Sequence, residues 1–112
     1  RWLKQQGLRV RVNTDGLASL VHLRDVVPDL VGVVDAIRVS LNAHDATSYA
    51  RLCRPPDPER AFAAVGEFIR RCVALLPEVV ATAVDLPGVQ PERVRTLAES
   101  LGARFLLRPR VE

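Results

Sequence analysis

Four short runs rich in Val, Ile or Leu recur along the chain, near Leu8–Asn13, Asp35–Leu41, Val79–Asp85 and Arg104–Arg108. Stretches with helical spacing separate them, so the chain reads β-α-β-α-β-α-β. Strands that alternate with helices in this way pair in parallel through helical crossovers, because a parallel partner cannot be reached by a tight hairpin. The pattern therefore predicts an α/β domain, either half of a barrel or a small doubly wound sheet.

The helical stretches differ in clarity. Pro58–Leu76 is the clearest: Asp57 can cap it, Pro58 suits the first turn and Glu59 favours the N-terminal dipole. Phe62, Val65, Phe68, Ile69, Cys72, Val73 and Leu76 fall on one face, and Pro77 closes the helix. A second helix is predicted from Pro91 to Leu101, with Val94, Leu97, Ala98 and Leu101 as its apolar stripe and Gly102 as its stop. A short turn, Ala46–Leu52, follows Asp45 as its cap. Leu20–Val33 reads as helical but is interrupted by Pro28. The opening residues read as the last turns of a helix ending at Gly7, and the chain as a single segment of a longer protein.

The strands themselves carry a second signal. Strands of a parallel sheet covered on both faces read as continuous apolar runs. Here Val10 and Val12 alternate with Arg9, Arg11 and Asn13, and Ile37, Val39 and Leu41 alternate with Arg38, Ser40 and Asn42. One face packs under helices. The other carries groups too polar for a dry core, and is either solvated or lines a ligand cavity. Each strand also ends in groups able to bind or react: Asn13, Thr14 and Asp15; Ser40 and Asn42; Asp85; Arg108. In parallel α/β folds these carboxyl edges face the ligand. Asn-Thr-Asp-Gly is also a good turn by itself, with Gly16 supplying a positive φ.

Several classes of function are not signalled. The chain lacks GxxxxGK[ST], a GxGxxG after a strand, HExxH and any Cys/His set with zinc spacing. Ser40 has no evident His and acid partners for a triad. The net charge of +3 is modest, the basic residues are scattered, and Tyr49 and Trp2 are isolated, so no stacking platform for nucleic acid is apparent. No apolar run approaches the roughly 20 residues of a membrane helix, and no signal peptide is visible, so a cytoplasmic location and no disulfide are expected. Cys72 reads as a small buried hydrophobe, Cys53 has no assigned role, and His44 reads as a solvent-exposed loop residue.

The segments VRVNTDG, DAIRVSLNAHDATSYARLCRP and VVATAVDLPGVQPERVRTLAESLGARFLLRP together resemble the C-terminal half of radical S-adenosylmethionine (SAM) proteins, over nearly the whole chain. Within that family the likeness is to the group linked to TatD-type nucleases. It implies a partial (β/α)6 TIM-like barrel, of which this chain supplies roughly the last four strands, and a possible functional link to such a nuclease. It also implies SAM as cofactor and a [4Fe–4S] cluster that reduces it to yield a 5′-deoxyadenosyl radical. By this resemblance Asn13 and Thr14 contact the ribose or amino-acid part of SAM, and Ser40 and Asn42 add contacts from the next strand. Asp85 lies near the adenine and Arg108 on the substrate side. Arg38 suits the SAM carboxylate, because its planar fork matches it. The CxxxCxxC loop that holds such a cluster is absent from these 112 residues and is expected upstream of Arg1. Two other readings stand beside this one: a different (β/α)-barrel enzyme, and a non-catalytic α/β interaction domain.

Overall fold

A computed structural model describes residues 9–22 and 24–109. The predicted helix ending at Gly7 and the start of the first strand at Leu8 lie outside them. The four strands are β1 (Arg11–Thr14), β2 (Ala36–Ser40), β3 (Glu78–Val84) and β4 (Arg104–Arg108). They form one parallel sheet in the order β1-β2-β3-β4. Each crossover moves the chain on by one strand in the same direction, so the order has no reversal of the kind that makes a doubly wound crevice.

Between β1 and β2 the single predicted helix, Leu20–Val33, is replaced by two short pieces. Helix α1 covers Ala18–His22, and a 3-10 turn covers Val27–Leu30 with Pro28 in its first turn. The proline lacks the amide that a continuous helix requires. Side chains take over the freed backbone: the Val26 amide donates to Ser19 Oγ (3.2 Å) and the Val27 amide to Asp25 Oδ1 (3.1 Å).

The other helices follow their capping signals. Helix α2 (Ala46–Cys53) starts at Asp45, whose Oδ1 accepts from the Ser48 amide at 2.8 Å. Helix α3 (Pro58–Leu75) starts at Asp57, which accepts from the Arg60 amide at 3.3 Å. Helix α4 (Pro91–Ser100) is followed by Gly102 at φ +90°.

The core lies between one sheet face and α3 and α4. Ile37, Val39, Val79, Ala81 and Ala83 from the strands meet Val65, Phe68, Ile69 and Cys72 of α3 and Val94 and Ala98 of α4, all buried. Burying each large aliphatic chain contributes about 1.5–3 kcal/mol. The opposite sheet face is open, with Arg11, Asn13, Arg104, Leu106 and Arg108 exposed. No helix among the described residues is long and apolar enough to cross a membrane.

Among the glycines of the described residues, Gly16 has the closest neighbours. It adopts φ +80°, and a Cβ there would lie 2.9 Å from Val39 Cγ1 and 3.2 Å from Val65 Cγ1. The residue after β1 therefore needs both a left-handed backbone and the absence of a side chain. Gly66, by contrast, lies inside α3 with nothing within 4 Å of a built Cβ. Gly16→Ala should destabilise the fold by about 1–3 kcal/mol. Gly66→Ala should stabilise it by about 0.4–1 kcal/mol. Urea denaturation midpoints of the two variants should move in opposite directions.

Candidate functional site

The polar sheet face is laid out by strand register. Asn13 of β1 is opposite Arg38 of β2, and Arg38 is opposite Val80 of β3. One same-face step further along, Ser40 is opposite Thr82, and Thr82 is opposite Leu106. Val84 and Arg108 make the next pair. Asn13, Arg38 and Ser40 are thus close neighbours on the open face. Arg108 lies three strands from Asn13, roughly 14 Å across at the usual strand spacing.

Other sequence-predicted residues take different positions. Thr14 is opposite Val39, level with the helix-packed side, and its Oγ1 accepts from the Gly16 amide at 3.2 Å. Asp15 accepts from the Leu17 amide at 3.1 Å. Both side chains shape the turn after β1. Asn42 turns toward α2, where its Nδ2 lies 3.8 Å from Cys53 Sγ, and it holds φ 66°. Asn tolerates this left-handed backbone better than most residues. Its amide and that of Leu41 both donate to the Thr82 carbonyl, at 3.1 and 2.9 Å, which continues the β2–β3 pairing past the strand end. Asp85 is exposed, and its amide donates to the Arg108 carbonyl at 2.9 Å.

His44 departs from expectation. Its side chain is only 11% exposed, not solvent-exposed. Its Nε2 lies 3.1 Å from Asp45 Oδ2, and its buried Nδ1 has no hydrogen-bond partner among the described residues. The cause is the tight return of the chain: the Ala43 amide donates to the Leu41 carbonyl at 2.8 Å, and Leu41 and Ala43 are both buried. The residue after Ala43 is thereby drawn against the fold.

Two residues were missed by pattern. Thr82 is 3% exposed at the centre of the polar face, where its hydroxyl donates to the Val39 carbonyl at 3.4 Å. The alternation Val80-Thr82-Val84 carried that signal. Tyr49 is buried on α2, 5.4 Å from Phe62 between ring centroids. Burial, followed by the nearby Cys53 and Asp15, raises its phenol above the ordinary value.

The donor set bears on the implied cofactors. Among the described residues no three His, Cys, Asp or Glu side chains come together as a metal site. Cys72 is fully buried, and burial pushes its thiol up to about 12, so it does not suit an iron ligand. Cys53 is exposed, and the chain's other thiol is the buried Cys72. The described residues therefore do not fit a [4Fe–4S] cluster. The open-face trio of guanidinium, amide and hydroxyl does fit a polar organic ligand bearing a carboxylate and hydroxyls. No family model, curated protein or solved structure matches the chain.

The two thiols should separate cleanly in a labelling experiment. At pH 8 an aromatic disulfide reagent should modify one thiol, Cys53, in the native protein, and Cys72 only after denaturation. Two carboxylates make a further, pH-dependent expectation. The side-chain hydrogen bond from Arg71 lowers Asp25, and the Ser48 amide lowers Asp45, both below the ordinary 3.8. A depressed folded-state value stabilises the fold above the unfolded value and is lost as pH falls through the folded one. Thermal midpoints should therefore decline as the pH drops below about 3.8, and less steeply in an Asp25→Asn/Asp45→Asn variant, since Asn still caps α2.

Proposed function

We propose that this chain is the SAM- and substrate-facing part of a radical SAM-type enzyme, with its four strands forming part of a (β/α)6 barrel. The observation that supports this best is the placement of Asn13, Arg38 and Ser40 on adjacent strands of the one sheet face without a helix. A face of that polarity is stable beside a polar ligand, whereas an apolar cover would leave its groups unpaired. The sequential parallel order is what a barrel segment requires, and the sequence likeness to radical SAM proteins supplies the chemical class.

In this reading Arg38 pairs with the SAM carboxylate through its planar fork. Asn13 and Ser40 orient the ribose or amino-acid part by neutral hydrogen bonds. Thr14 contributes by fixing the turn at Gly16, and Asn42 by fixing the loop after β2. Asp85, directly after β3, and Arg108, on the edge strand β4, are left for the adenine and the substrate. When bound, SAM would supply the hydrogen-abstracting chemistry of this class, given an electron from a cluster that the described residues would not hold. The link to a TatD-type nuclease belongs to the same likeness.

SAM binding to the protein, measured by calorimetry, tests the reading. Asn13→Ala and Ser40→Ala should each weaken SAM by roughly tenfold, the loss of about one net hydrogen bond. Thr96→Ala should change nothing, because its hydroxyl donates to the Glu92 carbonyl within α4. Equal affinity in all three variants would mean that the open face does not hold SAM. Failure to bind SAM while another phosphorylated or sugar ligand binds would favour a different barrel enzyme.

A further inference from the structure

Toward the amino ends of the strands the open face contains a second feature, which shares Arg38 with the SAM reading but is centred on Ala36. Arg11 of β1 is opposite Ala36 of β2, and Ala36 is opposite Glu78 of β3. Arg38 stands two residues beyond Ala36 on the same face. Ala36 is the small member of this group, and its methyl leaves a recess of about 200 Å³ framed by Arg9, Arg11, Arg38, Glu78 and Val80. Ala36 itself is only 3% exposed although its face carries no helix. The long side chains beside it therefore cover it.

The charges in this recess do not balance. Glu78 is its one carboxylate, and it is already shared by Arg9 and by Arg104, whose Nη1 lies 3.3 Å from Oε1. Arg11 and Arg38 have no ion-pair partner among the described residues. Their backbones are roughly 8 Å apart, one strand spacing across and two residues along. Two guanidiniums rooted that close, one of them on a half-buried residue, repel each other, and an anion between them would offset that repulsion. A volume of 200 Å³ is below the roughly 300–1,000 Å³ of a whole small-molecule pocket but ample for one oxyanion with attendant water.

We propose that Arg11 and Arg38, above the Ala36 floor, form a binding site for a single tetrahedral oxyanion, a phosphate or the phosphoryl group of a small phosphate monoester. Each guanidinium offers paired N–H donors in a plane, which suits phosphate oxygens two at a time. Arg9 supplies a third positive charge at the rim while remaining bound to Glu78. Glu78 holds Arg9 and Arg104 at the margin and so leaves the centre to the two unpaired arginines.

The test uses inorganic phosphate and glycerol phosphate as probes, titrated into the protein without SAM in 0.15 M salt and followed by phosphorus NMR. Saturable binding is expected, at least tenfold weaker in Arg11→Gln and in Arg38→Gln. Arg70→Gln, on the exposed surface of α3 beside Glu67, should bind as the parent does. Tighter binding of glycerol phosphate than of phosphate would assign the site to a phosphorylated ligand, and the reverse to the free ion. Absence of saturable binding in the parent protein, or equal weakening in Arg70→Gln, would overturn the proposal. Arg11 has no part in the SAM reading. Loss of phosphate binding in Arg11→Gln with SAM binding intact would therefore separate the two sites, and retained melting temperatures would show that both arginine variants fold.

Discussion

Everything in this fold depends on the sheet having one covered face. Each crossover carries the chain to the next strand in the same direction, so α3 and α4 fall on the same side. The apolar half of every alternating strand is spent there, against Val65, Phe68, Ile69, Cys72, Val94 and Ala98. The polar half has no such partner. That asymmetry accounts for the clean alternation in β1 and β2, and for the survival of four arginines and an asparagine on one face of a parallel sheet. It also explains why the contact of Gly16 with Val39 and Val65 is so close: the chain must turn out of β1 directly over the packed side.

Where a residue's role was decided by its neighbours in sequence, it was legible. β4 spans the residues that the pattern indicated, and α3 differs by one residue at its end. Asp45 and Asp57 cap the helices they precede, because a cap is a contact across three residues. Cys72 is buried because its place on the stripe of α3 fixes its surroundings. The segment between β1 and β2 was not legible in detail. There the outcome turns on Ser19 and Asp25 bonding amides seven and two residues away, respectively, once Pro28 has broken the ladder.

The candidate site was readable as a set of polar strand ends but not as an arrangement. Alternation placed Asn13, Arg38 and Ser40 on one face. The register that makes Asn13 and Arg38 direct neighbours is a long-range fact, set by how β1 and β2 pair. Thr14 and Asn42 looked equivalent to these residues, yet one closes a turn and the other leans on Cys53. His44 was read as a loop residue in water, and only the tight return through Ala43 shows why it is mostly buried. The grouping of Arg11, Arg38 and Glu78 around Ala36 was likewise invisible, since it joins three strands 67 residues apart at the extremes (Arg11 to Glu78).

Among the described residues β1 and β4 each have one unpaired side, with amides and carbonyls still able to bond. A strand that joins either side in parallel cannot arrive by a hairpin from its neighbour. It must bring a return path of a dozen residues or more, which in this architecture means a helix laid on the face already covered. The sheet therefore has a quantum of growth, one strand with its helix, and each added unit thickens the apolar layer while widening the polar one.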